Sequence, residues 1–229
     1  MTRCVEPEWL DTLPPDDPSA LASRRDLRRL NAIMGNHGLT IRALKKNLSS
    51  APAQLTELGA GDGNFLLRLA QKTALSWPDV NVTLIDRQEA VPSETLTSFW
   101  RLGWGAEAVV ADAFDWSPPA SSTPRVVIAN LFLHHFEDAR LADLLGNISR
   151  HAALFIAIEP RRFALARLVA PFLWLLGCNA VTRHDAIISI RSGFVGQELS
   201  ALWPERQNWR LVERRAGLFS HMFIAQRCP

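Results

Sequence analysis

Short runs rich in β-branched and other apolar residues alternate with helical stretches over most of the chain after residue 52. The runs predict strands at 54–58, 80–85, 108–110, 125–129 and 153–158. Helices are predicted between them, for example at 65–75 and 138–149. This alternation is typical of βαβ units in a parallel sheet, which binds its ligands at the carboxyl ends of the strands.

The last part of the chain has a different pattern, with two strand-like runs and no helix between them. Residues 209–214 and 221–226 predict two strands joined by a short turn at Ala216-Gly217. Because this connection has no room for a crossover helix, the two strands must be antiparallel. The predicted fold class is therefore α/β, a Rossmann-like sheet of seven strands in which six are parallel and one, from the C-terminal hairpin, is antiparallel.

The segment before the first strand predicts a lead followed by helical material. Residues 1–18 are acidic and contain several prolines, and residues 20–48 carry apolar positions at a spacing of three to four. Gly35-Asn36-His37-Gly38 predicts the end of this helix. Its arginines form either a solvated face or a contact to an anionic ligand. They are Arg24, Arg25, Arg28 and Arg29.

Composition narrows the class of protein. The chain of 229 residues is 48% hydrophobic and 21% charged, which excludes a disordered or coiled-coil protein. A net charge of +2 disfavours a protein that mainly binds nucleic acid, because phosphate backbones demand a clear basic excess. The three cysteines form no CxxC pair, and the N-terminus has no signal-peptide pattern, so we expect a reduced, cytoplasmic protein.

The apolar segment 163–181 has about the length of a membrane-spanning helix, for which roughly 20 residues are needed. Arg167, Pro171 and Gly177 within it make a span unfavourable. No span is expected. A buried helix, a wall for an apolar substrate and a peripheral membrane contact remain open.

A glycine-rich turn directly follows the first predicted strand, in the sequence Glu57-Leu58-Gly59-Ala60-Gly61-Asp62-Gly63-Asn64. Glycines at such a turn let a ligand approach the backbone closely. A dinucleotide fingerprint of the form GxGxxG would need a glycine where Asn64 stands, so a nicotinamide oxidoreductase is disfavoured.

This ExGxGxG pattern resembles motif I of the class I S-adenosylmethionine-dependent methyltransferases. Asp86 at the end of the second strand matches the acid that binds the ribose hydroxyls in that family, and Asp112-Ala113-Phe114 resembles the loop that covers the adenine. Residues 126–136 resemble the segment after the fourth strand of small-molecule methyltransferases, and the terminal hairpin matches the family's antiparallel strand. The resemblance covers about residues 50–229.

The resemblance implies S-adenosylmethionine as the cofactor and divides the chain into a lead with a helical lid (1–50) and a methyltransferase domain (51–229). Residues of about 160–200 would form an insertion that builds the substrate chamber. The cofactor-binding residues that it implies are Glu57, Gly59, Ala60, Gly61, Gly63, Asp86, Arg87, Asp112, Ala113 and Asn130.

His134 and His135 follow a central strand and are expected over the cofactor crevice. An imidazole has an ordinary pKa of about 6.5, so it is largely neutral at pH 7 and can accept a proton as a general base. We expect at least one of the two to have only a packing role. The spacing His134-His135-x-x-Asp138 is not a usual one for metal ligands, so a metal-independent enzyme is expected, with His184 as the second-choice base.

The expected acceptor is small and lipophilic or aromatic, and O-methylation of a phenolic or polyketide-type metabolite is the preferred reaction. The chamber residues are Phe172, Trp174, His184 and Asp185, with Leu168, Leu173 and Leu176 beside them. Residues 23–36 and 189–199 are also similar to methyltransferases that accompany type III polyketide synthases and methylate phenolic lipids. An RNA or protein methyltransferase and a non-catalytic cofactor-binding protein are the alternatives, and the oligomeric state is left open.

Overall fold

A single seven-stranded sheet forms the centre of the protein, for which the computed structural model describes residues 2–118, 124–163 and 170–228. The strands are β1 (Gln54–Leu58), β2 (Asn81–Asp86), β3 (Gly105–Val110), β4 (Arg125–Asn130), β5 (Leu154–Pro160), β6 (Trp209–Ala216) and β7 (Ser220–Arg227). Their order is β3-β2-β1-β4-β5-β7-β6. Strands β1 to β5 pair in parallel, and β7 is antiparallel to both β5 and β6. The prediction of six parallel strands and one antiparallel strand is confirmed.

Helices cover both faces of the sheet. They are α1 (Pro18–Met34), α2 (Asn36–Asn47), α3 (Asn64–Thr73), α4 (Ser93–Arg101), α5 (Asp138–His151), α6 (Ala180–Ser192) and α7 (Glu198–Leu202). One apolar core joins the sheet to α2, α3 and α4, and the other joins its opposite face to α5 and α7. Strands β4 and β5 are buried along their whole length, as expected for central strands that are covered on both faces.

The predicted helix at 20–48 is divided in two at Gly35. This residue has φ of +71°, a conformation that favours glycine, and its N–H donates to the carbonyls of Asn31 and Ala32. Helix α1 therefore ends where the turn residues predict, but α2 starts at the next residue. As a result α2 packs against α3 and β5, while α1 lies against α6.

The apolar segment 163–181 is not one continuous helix in its described part. Residues 164–169 lie outside the described residues, a 3-10 helix spans Ala170–Leu173, and α6 begins only at Ala180. Among the described helices, none is long and apolar enough to cross a membrane.

The parallel strands place their carboxyl ends at one edge of the sheet, as the βαβ arrangement requires. Residues 2–17, which we call the N-terminal strap, run across this edge. At one end of the strap, Arg3 donates to the carbonyls of Ser192 and Phe136. Near its other end, the carbonyl of Leu13 accepts from the side-chain amide of Gln88, just after β2. The strap therefore covers the edge at which ligands are expected.

Candidate active site

A cavity of about 870 Å³ lies between the carboxyl edge of the sheet, the N-terminal strap, α1 and α6. Its lining has two chemically different ends. The glycine end is formed by Gly59, Gly61, Asp86 and Asp112, and the histidine end by Glu8, Asp11, His134 and His135. Both ends belong to one continuous space, so ligands bound at the two ends would be able to meet.

The turn after β1 brings the backbone close to the cavity. Gly59 and Gly61 have φ of +69° and +54°, in the left-handed region that favours glycine. A Cβ on Gly59 would lie 2.2 Å from the ring of Phe132, whereas a Cβ on Gly61 would meet no atom within 4 Å. Gly61 thus leaves open space at the place where a ligand would approach the turn.

Asp86 holds this turn and the next loop together. Its Oδ2 accepts from the N–H of Gly61 at 2.8 Å, and its Oδ1 accepts from the N–H of Gln88 at 2.9 Å. Asp112 is fixed in a similar way, because its Oδ1 accepts from the N–H of Phe114 at 3.0 Å. Each carboxylate oxygen has more than one lone pair, so these oxygens can accept further hydrogen bonds from a ligand.

The ten residues predicted to bind a cofactor fall into two groups. Those that line the cavity are Gly59, Gly61, Asp86, Arg87, Asp112 and Ala113. Four others, Glu57, Ala60, Gly63 and Asn130, lie behind this lining. Gly63 caps α3 with φ of +69°, and a Cβ there would lie 2.7 Å from Leu84, so its glycine serves packing.

Glu57 is completely buried at the end of β1, and its Oε2 has no hydrogen-bond partner among the described residues. Burial, together with the nearby charges of Asp62 and Asp86, raises the pKa of this carboxyl well above its ordinary value. The N–H of Leu66 in α3 hydrogen-bonds to it and opposes this rise in its pKa. Glu57 thus lies beneath the glycine turn as a buried carboxyl whose charged form is disfavoured.

Asn130, at the end of β4, takes part in a buried polar network. Its Oδ1 accepts from the side-chain amide of Asn36 at 3.1 Å, and the same amide donates to Asn31. The hydroxyl of Ser220 donates to the Oδ1 of Asn36. This network ties the start of α2 to β4 and β7.

Two arginines of α1 are used to hold this helix over the glycine end. Arg24 donates to the carbonyl of Pro15 and to the side chain of Gln88, and Arg28 forms an ion pair with Asp62 in the glycine turn. Arg24 also lines the cavity. Arg24 and Arg28 therefore bind loops of the protein itself, on both sides of the expected cofactor position.

The loop after β4 is held by a buried carboxylate. Leu131, the first residue of the loop, has φ of +53°, which is strained for a residue with a side chain. Glu159 in β5 is fully buried and accepts from the N–H groups of Phe132 and Leu133 at 3.1 and 2.9 Å. The same carboxylate pairs with the Nδ1 of His134 at 2.8 Å. These bonds hold the start of the loop and the ring of His134 in place.

His134 lies between two carboxylates and is almost completely buried. Its Nε2 is 3.2 Å from the Oε1 of Glu8 in the N-terminal strap. Burial alone would lower the pKa of His134, but the hydrogen bonds and charges of Glu159 and Glu8 raise it to about 9. The imidazole is therefore protonated at neutral pH, which removes the premise on which His134 was expected to be a general base.

Glu8 is the ionised partner of this histidine. Burial would raise its pKa, but the hydrogen bond from His134, the charges of both histidines and the hydroxyl of Ser189 lower it to about 2. Glu8, His134 and His135 are also close enough for one ligand atom of each to hold a metal ion. The hydrogen-bonded ion pair of Glu8 and His134 explains why these two side chains lie close together without a metal ion.

His135 has a different environment from its neighbour. Its side chain is about 20% exposed and lines the cavity, and its Nδ1 is 3.0 Å from the Oδ2 of Asp11. In a neutral imidazole whose Nδ1–H donates to this carboxylate, the Nε2 carries the lone pair. A carboxylate that fixes the tautomer of a histidine in this way is a common arrangement for a general base.

The residues predicted for the substrate chamber are divided between the lining of the cavity and the surface outside it. Phe172 and Trp174 are exposed and lie outside its lining, whereas their neighbours Leu173 and Leu176 belong to it. The short 3-10 helix and the turn after it direct Phe172, Trp174 and Leu175 outward, so the apolar segment does not line the cavity as one wall. Leu168 falls outside the described residues.

His184 and Asp185 help to hold the strap. The ring of His184 stacks on Trp9 with centroids 3.7 Å apart, and this histidine lies outside the cavity lining. Asp185 does line the cavity, but its two oxygens accept from the N–H groups of Trp9 and Leu10 at 2.9 and 3.0 Å. His184 therefore packs on the strap, next to a residue of the cavity lining.

Three residues of this site were not predicted from the sequence: Glu8, Asp11 and Glu159. Glu8 and Asp11 lie in a lead without periodicity, so no pattern marks them. The only signal for Glu159 is its position at the end of a predicted strand on the ligand side.

Comparison with known proteins gives one family match. Residues 56–153, less than half of the chain, match the family model described as a methyltransferase domain. The matched part contains the glycine turn, Asp86, Asp112 and both histidines of the site. No curated protein matches the chain.

Solved structures resemble the whole fold at low sequence identity. The plantazolicin methyltransferase BpumL in complex with SAH is 13% identical, with a TM-score of 0.66 over 93% of this chain and 92% of that one. Magnesium protoporphyrin IX methyltransferase (ChlM) from Synechocystis with bound SAH is 14% identical, with a TM-score of 0.57 over 89% of this chain and 86% of that one. The pyocyanin biosynthetic protein PhzM is 17% identical, with a TM-score of 0.59 over 96% of this chain and 61% of that one.

The family match and the fold agree with each other and with the resemblance of the glycine motif. Residues 56–153, which carry the glycine motif, are therefore similar to a methyltransferase domain, and the whole seven-stranded sheet has the fold of solved methyltransferases that bind SAH.

Proposed function

We propose that the protein transfers the methyl group of S-adenosylmethionine to a hydroxyl oxygen of a small, largely apolar acceptor, such as a phenolic or polyketide-type metabolite. The observation that carries this proposal is the continuous cavity of about 870 Å³, which joins the glycine end to the histidine end. Structural neighbours whose names specify plantazolicin and magnesium protoporphyrin IX support an acceptor that is a small molecule or a peptide.

The residues of the glycine end fit the cofactor. Gly61 leaves open space beside the turn, and Asp86 keeps lone pairs that can accept from the two ribose hydroxyls. Asp112 and Ala113 would contact the adenine, and Arg24 of α1, which donates to Gln88, lines the same cavity. When bound, S-adenosylmethionine supplies an activated methyl group on a positively charged sulfur.

The rest of the lining favours an apolar acceptor. It is contributed by three separate parts of the chain: Leu27, Leu30 and Met34 from α1, Phe132 and Phe136 after β4, and Leu173, Leu176 and Phe219 from the loops beyond β5. Apolar side chains exclude water and align an apolar ring by packing, while they offer few groups to bind charged parts of an acceptor. Alignment of this kind is a main source of rate enhancement, worth about 7–11 kcal/mol at best.

His135 is the base in this proposal. Its Nε2 would accept the proton of the acceptor's hydroxyl, and Asp11 would stabilise the imidazolium that forms. His134 already holds its proton and therefore serves to position the loop and the strap. His184 and Asp185 anchor the strap and take no part in the transfer.

The proposal is tested by the atom that receives the methyl group. The protein is incubated with methyl-labelled S-adenosylmethionine and three apolar aromatic compounds of the same skeleton that carry a hydroxyl, an amino group or neither. We expect label on the hydroxyl oxygen only. Label on the amine alone, or only on RNA or protein added in parallel reactions, would contradict the proposal.

A further inference from the structure

The turn that follows the 3-10 helix Ala170–Leu173 presents apolar side chains to the outside. Phe172, Trp174, Leu175 and Leu176 are between 47% and 67% exposed, although they are close together in the chain. We call these four residues the apolar rim. Exposed apolar residues that are scattered singly are ordinary on protein surfaces, but a contiguous group with a tryptophan marks an interaction surface.

Helix α1 contributes a second exposed stripe. Leu21, Arg25, Arg29 and Ile33 follow one another at intervals of four residues, so they lie along one face of the helix, and all four are exposed. Two of the four side chains are cations at neutral pH. The stripe therefore combines apolar and positively charged groups.

The stripe and the rim belong to the same side of the molecule. Asp26 in α1 accepts from the N–H of Asn179 at 2.9 Å, which fixes α1 beside the residues that directly follow the rim. Ile33 of the stripe and Leu176 of the rim both line the cavity and are also about half exposed, at 56% and 47%. The mouth of the cavity consequently opens between the stripe and the rim.

We propose that the rim and the stripe dock the protein on an anionic membrane, with the mouth of the cavity facing the lipid. Exposed aromatic and aliphatic side chains insert into the boundary between headgroups and acyl chains, and arginines beside them bind anionic headgroups. An apolar acceptor dissolved in the membrane would then enter the cavity without crossing water. This arrangement goes beyond the proposed transfer reaction, because it concerns where the acceptor is taken up.

The charges of the stripe favour an anionic membrane over a second copy of the chain as the partner of this surface. A symmetric dimer across this surface would bring the arginines of the two stripes towards each other, and like charges at an interface are unfavourable. An anionic surface instead complements Arg25 and Arg29. Arg29 keeps its side chain 60% exposed although it pairs with Asp26.

Co-sedimentation of the full chain with vesicles tests this inference. Phosphatidylcholine vesicles with and without phosphatidylglycerol are compared, and we expect binding only to those that contain the anionic lipid. Arg25→Gln and Arg29→Gln should each weaken this binding about fivefold. The control is Arg101→Gln, an exposed arginine of α4, which should leave it unchanged.

The apolar part is tested with Trp174→Ser combined with Leu175→Ser, which we expect to weaken vesicle binding at least about tenfold. The matched control is Trp100→Ser combined with Leu75→Ser, since these two residues are at least as exposed but lie elsewhere. Equal loss in both double variants, equal binding to neutral vesicles, or no binding to either vesicle would overturn the inference. A dimer in light scattering that Trp174→Ser dissociates would also overturn it, in favour of a self-interface.

Vesicle binding needs neither cofactor nor turnover. Loss of methyl transfer with intact vesicle binding would therefore speak against the proposed function alone, and the reverse result against the docking surface alone.

Discussion

The two ends of the cavity are assembled from different kinds of sequence. The glycine end is built from the turn after β1 and from the ends of β2 and β3, and the bond between Gly61 and Asp86 joins residues only 25 positions apart. The histidine end joins Glu8 to His134 over 126 positions and Glu8 to Ser189 over 181 positions. One end is thus a property of the βαβ fold, while the other exists only when the N-terminal strap is docked.

Because of this difference, we expect cofactor binding and methyl transfer to depend on different parts of the chain. Side chains at the glycine end are held by backbone N–H groups of neighbouring loops, so they are in place in the folded domain itself. At the histidine end, His135 receives its orienting carboxylate from the strap. We therefore expect changes at the histidine end to reduce turnover or the stability of the strap without reducing cofactor affinity.

The largest effect is expected for His135→Gln. Loss of the base should lower kcat by about 10²–10⁴, because proton transfer by a positioned side chain contributes about this factor. Steady-state assays with the hydroxyl compound that the labelling experiment shows to be methylated measure this decrease in kcat. The control is His151→Gln at the end of α5, outside the cavity lining, which should leave kcat unchanged. An unchanged kcat in the His135 variant would remove the base assignment.

Glu8→Gln should reduce the free energy of unfolding by about 1–3 kcal/mol, since it removes a buried charge-assisted hydrogen bond. The loss should depend on pH. Glu8 has its pKa lowered from 4.5 to about 2, so its contribution is complete above about pH 4.5 and is lost progressively as the pH falls through about 2. His134 has its pKa raised from 6.5 to about 9, so its contribution is complete below about pH 6.5 and is lost as the pH rises through 9.

Urea unfolding between pH 4.5 and 9.5 measures this difference. The gap between wild type and Glu8→Gln should be largest between about pH 4.5 and 6.5 and should shrink towards pH 9.5. Glu6→Gln, an exposed position on the same strap, is the matched control and should show a smaller gap. A gap of the same size at pH 9.5 would show that the ion pair with His134 does not stabilise the strap.

Asp11→Asn should lower kcat less than His135→Gln does. The carboxylate is 41% exposed, and a partly exposed pair contributes only about 0.2–1 kcal/mol, so kcat should fall by about fivefold at most. The reduction should appear in kcat, with the KM for S-adenosylmethionine unchanged. A reduction as large as that of His135→Gln would mean that the carboxylate itself takes part in the transfer.

Chelation should have no effect. Glu8, His134 and His135 lie close enough to hold a metal ion, but the ion pair and the base assignment require none. Activity after dialysis against EDTA should equal that of the untreated protein. Loss of activity that Zn²⁺ or Mn²⁺ restores would identify the histidine end as a metal site. His135 would then be a metal ligand and not the base.

The sequence predicted the sheet well for physical reasons. Local apolar runs determine β1 to β5, and the glycine turn is a contiguous signal that marks the end of β1. Element boundaries were less certain, since β3 begins at Gly105 and not at 108, and a second helix follows Gly35 directly. These boundaries depend on tertiary pairing that a local pattern does not contain.

The histidine end was predictable only in part. His134-His135 stands out as a pair after a central strand, but the sequence does not distinguish the two residues. The distinction comes from Glu8, Glu159 and Asp11, which reach the histidines from distant segments and give each a different electrostatic environment. The same limit explains why Phe172 and Trp174 were predicted to line the substrate chamber. Their apolar character fits a chamber wall, but the 3-10 helix and the turn after it direct both side chains outward.

The most direct test of the separation between the two ends is calorimetric titration of S-adenosylhomocysteine into wild type, Asp86→Asn and His135→Gln. We predict binding by wild type and by His135→Gln with the same Kd, and a Kd raised about 10–100-fold in Asp86→Asn, where charge-assisted hydrogen bonds to the ribose are weakened. No binding by the wild type, or an equal loss in the two variants, would contradict the account.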